Sequence, residues 1–148
     1  MKAFEMWEAF RKERPDLPMN FDSWAFGVDA DHLAQLVLTS KKTATTSGYG
    51  LYDLAEEELP REGSYDVILD SQDQAVCIIE VIKVTVLPFA EVSADHAAKE
   101  GEGDLSLDHY QRVHQELFAD WYEEEGLTFT PESKVVLEEF QAVYPPQS

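Results

Sequence analysis

The stretch "SYDVILDSQDQAVCIIEVIKVTV" constrains the fold of this chain more than any other. Residues 64–70 and 74–86 are two runs rich in Val and Ile, joined by the turn signal "SQDQ". Four residues cannot hold a crossover to a parallel neighbour, so the two strands must form an antiparallel hairpin. Pro88 ends the second strand, and "KVVLEEFQAVY" reads as a further strand before "PPQS". Helical signals surround these strands. Phe4, Trp7 and Phe10 recur at helical spacing ahead of Pro15, which predicts an amphipathic helix over residues 2–14. Asp29 or Asp31 can cap a second helix that buries Leu33, Leu36 and Val37 and fades near Ser40. Ser93 caps a short helix, "SADHAAKE", which the glycines at 101 and 103 break. Ser106 caps a longer one through Tyr110, Val113, Leu117, Phe118 and Trp121 to about Glu125. "NFDSWAFG" is aromatic but aperiodic and reads as irregular structure. The sum is an α+β fold of five or six strands and four helices, whose curved strands close into a small barrel and so remove exposed edges.

A chain of 148 residues suits one domain, since domains typically hold about 100–200. Its 44% apolar content can build a core without disulfides. The single cysteine, Cys77, lies in the apolar run "AVCIIEVIKV" and reads as a buried structural thiol. Glu5 and Glu8 interrupt the N-terminus where a signal peptide needs an apolar stretch, and no run approaches the roughly 18 apolar residues of a membrane span. A cytoplasmic protein with no membrane partner is expected. The 30 acidic residues outnumber 11 basic ones, giving a net charge of −19. Long nucleic acids bind largely by releasing counterions onto Lys and Arg, so this chain disfavours extended RNA tracking. A nucleoside-sized neutral or cationic ligand carries no such penalty.

Against that acidity, "TSKKTATTSGYG" places Lys41 and Lys42 among four threonines and two serines. Two readings stand on the residues alone. One is a helix end whose lysines complement the dipole, followed by a threonine-rich strand. The other pairs Lys42 with Thr45 as base and nucleophile, which requires a lysine deprotonated by desolvation or by a neighbouring cation such as Lys41. No metal or cofactor is expected. His109 and His114 are five apart and lie on different helix faces, while His32 and His96 are isolated from them in sequence. "EGEGD" supplies Glu100, Glu102 and Asp104 without the rhythm of a calcium loop, and is either a solvated helix end or a loop that a ligand approaches closely. Glu80, inside "CIIEVIKV", sits either on exposed sheet or in a pocket.

"LVLTSKKTATT" resembles the signature of the ASCH domain family, a PUA-like fold whose motif reads roughly Gly-x-Lys-Thr-x-Thr. The likeness extends through "LPREGSYDVILD", the segment from "CIIEVIKV" to "DHYQRVH", and "VVLEEFQAVY", covering about Trp24 to Tyr144. The resemblance implies a single domain over 1–148, with a helical extension at about 1–22, built as a small barrel of mostly antiparallel strands surrounded by helices. It also implies a cleft. Some small bacterial members of the family remove the acetyl group from acetylcytidine with a lysine, a threonine and a glutamate. By motif these fall on Lys42, Thr45 and Glu100. Lys42 would take a proton from Thr45, whose oxygen attacks the carbonyl, and Glu100 would protonate the leaving nitrogen. Tyr49 or Trp24 would stack on a base, Lys41 and Lys99 would meet a phosphate or oxyanion, and Glu102 and Arg112 complete the candidate binding set. A non-catalytic RNA-binding module or a ribonuclease with the same cleft is the alternative, the ribonuclease drawing on Lys41, Lys42, Lys99 and Arg112. The partners expected are a nucleoside-like small molecule or short RNA, and a homodimer is compatible with either. Two positions depart from the small amidohydrolases: Ser40 replaces the motif glycine, and Ser47 stands where they carry arginine.

Overall fold

The computed structural model describes residues 1–146. The elements run α1 (Ala3–Glu13), β1 (Asp22–Ala25), α2 (Ala30–Leu38), β2 (Ala44–Gly48), α3 (Tyr49–Ala55), β3 (Tyr65–Leu69), β4 (Ala75–Pro88), a single 3₁₀ turn (Phe89–Glu91), α4 (Ala94–Lys99), α5 (Leu107–Glu124) and β5 (Lys134–Tyr144). Among the described residues the five strands share one sheet in the order β1-β3-β4-β5-β2. β3 and β4 form the expected antiparallel hairpin, with Tyr65 opposite Glu80 and Val67 opposite Ile78. Two expectations are corrected. "NFDSWAFG" contains the short strand β1, which runs parallel to β3 with Trp24 opposite Ile68. Asp29 occupies the N-cap of α2 but makes no side-chain cap bond; Asp31 instead accepts from the Ser71 backbone N–H at 2.8 Å and the Ser71 hydroxyl at 3.0 Å.

The chain forms two compact units. One comprises residues 1–43, 62–82 and the stretch from Phe140 onward. In it, α1 buries Met6, Trp7 and Phe10 with Leu17, Val67 and Ile78. Of the three residues whose helical spacing marks α1 in the sequence, Trp7 and Phe10 are buried, whereas Phe4 is 61% exposed and Met6 takes its place on the buried face. A second cluster sets Ala34 and Val37 of α2 against Ile68, Cys77 and Ile79. Cys77 is fully buried, and burial pushes its thiol up to about 12, which makes it an inert packing group. The other unit comprises residues 44–61 and 83–139. There α5 lays Tyr110, Phe118 and Tyr122 on Val135 and Leu137 of β5, together with Phe89 and Phe129. Ser93 and Ser106 cap α4 and α5 as read, each hydroxyl accepting the N–H of a residue three further on. Among the described residues, no helix is long and apolar enough to cross a membrane.

Candidate functional site

The lysine motif begins at the end of α2. Thr39 is the C-cap and Ser40 follows with φ of 61°, in the left-handed region that favours glycine. The Ser40 N–H donates to the Val37 carbonyl at 3.0 Å and the Lys41 N–H to that of Leu36 at 2.9 Å, a Schellman closure. This turn explains why a glycine belongs at the motif position that Ser40 fills. The Lys42 N–H also reaches the Leu36 carbonyl, at 3.0 Å. The Lys42 side chain is only 1% exposed, with Nζ 5.4 Å from the ring centre of Phe26. Lys41 is exposed. In the same unit Trp24 donates its indole N–H to Asp66 at 3.1 Å and meets Phe26 edge-on.

In the other unit β2 presents successive side chains to opposite faces. Antiparallel pairing sets Thr46 opposite Leu137 and Ala44 opposite Glu139, while Thr45 pairs with Glu138 and Ser47 with Val136. Leu137 belongs to the apolar cluster under α5, so Thr46 looks toward α4 and α5 and Thr45 looks away from them. At the end of α4, Glu100 is 2% exposed and lies four residues after His96. The Thr46 hydroxyl donates to Glu100 Oε2 in a short bond. His96 Nε2 lies 2.8 Å from the same oxygen, and His114 Nε2 lies 3.4 Å from Oε1. Tyr110 sets its hydroxyl 2.7 Å from Thr46 Oγ1 and stacks on His114 at 4.1 Å. The result is a carboxylate surrounded by donors from three elements.

The electrostatics follow from that packing. Burial opposes a charged His114, but the hydrogen bond and negative charge of Glu100 outweigh it and raise its pKa above the usual imidazole value. The other nitrogen, Nδ1, donates to the Tyr110 carbonyl at 2.8 Å, so both ring nitrogens face acceptors. Burial above all, then the charge of Glu100, drives the Tyr110 phenol far above its usual range. Among the described residues, no group of three or more His, Cys, Asp or Glu side chains is arranged to hold a metal ion.

Beside this network a cleft of about 620 Å³ opens between α3 and the C-terminal half of α5. Thr46, Tyr52, Leu54 and Trp121 line it, and Glu57, Glu124 and Glu125 bring carboxylates to it. Gly48 admits the Tyr122 ring, since a Cβ there would stand 2.7 Å from it. Ser47, at the arginine position, faces the Tyr52 hydroxyl at 2.9 Å. Of the remaining candidates, Lys99 is held by Glu139 at 2.8 Å and Asp95 at 3.1 Å, and these bonds raise its pKa. Tyr49 has Lys134 Nζ 5.8 Å from its ring centre, Glu102 is half-buried, and Arg112 is exposed on α5. The structure thus joins the "KKTATT" segment to "HAAKE" through Thr46 and Glu100, 54 residues apart. Thr46, His96, Tyr110 and His114 escaped the sequence reading. Their trace in the sequence is two i, i+4 pairs, His96 with Glu100 and Tyr110 with His114.

The family model described as "ASCH domain" matches residues 22–144. The structure is similar to an ASCH domain from Lactobacillus crispatus JV V101, with TM-score 0.86, 30% identity, and coverage of 93% of this chain and 91% of that one. It is equally similar to protein EF3133 from Enterococcus faecalis V583, with TM-score 0.85, 35% identity and coverage of 93% and 85%. The hypothetical protein PH0355 shares the fold at 16% identity and TM-score 0.51, over 82% of this chain and 99% of that one. No match is found among curated proteins.

Proposed function

Because the chain belongs to the ASCH domain family, a PUA-like α+β fold linked to RNA binding or hydrolase activity, we propose that it hydrolyses an amide on a modified nucleoside or a related small molecule. The observation that carries this reading is the buried Glu100, gripped by a hydroxyl of the motif strand and by two histidines. A carboxylate so enclosed is costly to build and is a common feature of reactive sites. The adjoining cleft has aromatic and apolar walls for a flat ring, and its carboxylates favour an uncharged or cationic ligand over a phosphate.

Lys42 and Thr45 supply the base and the nucleophile. Thr45 follows Lys42 by three positions, which is the motif spacing. The Thr45 oxygen attacks the carbonyl, the C–N bond breaks, and a carboxylate protonates the departing nitrogen. Glu100 is the carboxylate the motif points to, and acetylcytidine deacetylation is the specific reaction proposed. Tyr49 and Trp24 serve the base, Lys41 and Lys99 the developing oxyanion, and Glu102 and Arg112 the rest of the ligand. On this reading the protein acts in the cytoplasm as a single domain.

The test is turnover of acetylcytidine by the wild type beside Lys42→Ala and Thr45→Ala. A loss of about 10²-fold or more in each is expected, in line with removal of a base or nucleophile. Full turnover in both variants sinks the assignment. The competing RNA-binding reading predicts affinity that falls steeply with salt, so the absence of RNA binding at low salt removes it.

A further inference from the structure

Two runs of three glutamates, "AEEEL" and "YEEEG", close the helices that flank the cleft. Glu56, Glu57 and Glu58 follow α3, and Glu123, Glu124 and Glu125 end α5. Neither helix has a basic residue in its last turn. A helix C-terminus carries partial negative charge, so carboxylates there are unfavourable and lysines are the ordinary choice. Burial does not dictate them either, since Glu57, Glu124 and Glu125 are exposed. Among the described residues none of these three carboxylates has an ion-pair partner, whereas Glu58 is held by Arg61 at 3.1 Å. All three line the cleft of about 620 Å³, and no Lys, Arg or His shares its wall. The rest of that wall is largely aromatic and apolar, with Tyr52 and Trp121 half-buried in it. The Ser47 hydroxyl lies 2.9 Å from that of Tyr52, and the Phe118 ring centre 5.8 Å from that of Trp121, so both rings are braced before a ligand arrives.

We propose that this cleft takes a flat ring carrying a positive charge, the class to which an N-alkylated nucleobase belongs. This rests on the reading of the cleft as the ligand site given above, and not on the hydrolysis. A cation is attracted to the face of a tryptophan or tyrosine ring within about 6 Å of its centre. Carboxylates of one sign around a concave apolar wall add a field that draws the same charge. A small ammonium ion would meet the glutamates and leave the aromatic wall in water. An uncharged ring would cover the wall and leave the repulsion among the glutamates unrelieved. A ring and a positive charge in one ligand answer both, and the same field turns a phosphate away. The fitting ligand is therefore a nucleoside-sized cation, with an uncharged ring held by the same walls more weakly.

Isothermal titration calorimetry at low salt compares 3-methylcytidine, a cation at neutral pH, with cytidine, which has the same ring without the charge. The wild type should bind 3-methylcytidine at least about tenfold more tightly, the scale of one cation–aromatic contact beside carboxylates. Ethylammonium, a cation without a ring, should bind at least about tenfold more weakly than 3-methylcytidine. The triple variant E57Q/E124Q/E125Q removes the charges at exposed positions and keeps the side-chain shapes, and it should bring the two nucleosides within about twofold of each other. Equal or absent binding of the two nucleosides by the wild type would overturn the proposal, as would a preference that survives the triple substitution. Ethylammonium binding as tightly as 3-methylcytidine would also overturn it, reducing the site to an acidic patch. Selective binding without turnover of acetylcytidine would sink the hydrolase reading and leave this proposal standing; turnover without selective binding would do the reverse.

Discussion

Replacing Thr46 by valine keeps the shape of the side chain and removes one hydroxyl, which makes it the sharpest probe of the buried network. That hydroxyl donates to the Glu100 carboxylate and shares a second bond with Tyr110. A hydrogen bond to a charged group contributes about 1.5–3 kcal/mol and a neutral one about 0.5–1.5, so their joint loss is about 3 kcal/mol. The better strand propensity of valine returns less than about 1 kcal/mol of this. With a urea slope of about 2 kcal/mol/M for a chain of this size, the unfolding midpoint should fall by about 1–1.5 M. Thr46→Ser, which keeps the hydroxyl, should stay within about 1 kcal/mol of wild type. A double-mutant cycle with Glu100→Gln isolates the pair, and the coupling expected is at least about 1 kcal/mol. A Thr46→Val midpoint indistinguishable from wild type would refute the reasoning, because it would mean that water replaces the hydroxyl and the cluster is not closed.

Three other outcomes follow from particular residues. Gly48→Ala drives a Cβ to 2.7 Å from the Tyr122 ring, whose hydroxyl also accepts the Gly50 N–H, so thermal denaturation should show a loss of about 1–3 kcal/mol. Ser40→Gly relieves a left-handed residue at φ of 61° and should stabilise the fold by about 0.5–1 kcal/mol; a neutral or negative effect would show that Ser40 has a compensating contact. For His114, whose pKa is raised in the fold, the stabilising contribution is complete below the unfolded value of about 6.5 and is lost as pH rises through the folded value. The stability gap between wild type and His114→Gln should therefore narrow from pH 6 towards alkaline pH, and a gap that widens would contradict the Glu100 contact.

What could be read from the sequence was local. The β3–β4 hairpin follows from two apolar runs and a short turn, and the caps at Ser93 and Ser106 from a hydroxyl bonding its own helix. β1 was hidden because its four residues are a strand only by pairing with β3, a contact some 40 residues distant that no window of sequence contains. α3, "YGLYDLA", carries no side-chain cap and no fully buried residue, so neither of the usual signals marks it. The donor shell around Glu100 was invisible for a related reason. Thr46, His96, Tyr110 and His114 come from β2, α4 and α5, and only the two i, i+4 pairs leave any trace along the chain. Glu138 was overlooked because "VVLEEFQ" reads as a strand interrupted by polar residues, and only the register shows which of its two glutamates is buried.

Register also decides which threonine does what. Because the side-chain period of a strand is two, a slip of one residue in the β2–β5 pairing could set Thr46 opposite Glu138 and Thr45 opposite Glu139. Glu138 would then face Thr46 instead of Thr45, and Glu139 would leave Lys99. Three contacts within this unit oppose such a slip: Gly48 under the Tyr122 ring, Thr46 on Glu100, and Glu139 on Lys99. Each is satisfied by one face of β2 or β5 and not by the other. Two adjacent threonines therefore cannot substitute for each other, although in sequence they look equivalent. Thr45→Val removes the hydroxyl on the Glu138 side of the sheet and keeps the one on the Glu100 side, whereas Thr46→Val does the reverse. The motif is thus a statement about one face of a strand, and the residues that fix the register are as necessary to it as the lysine and threonine it names.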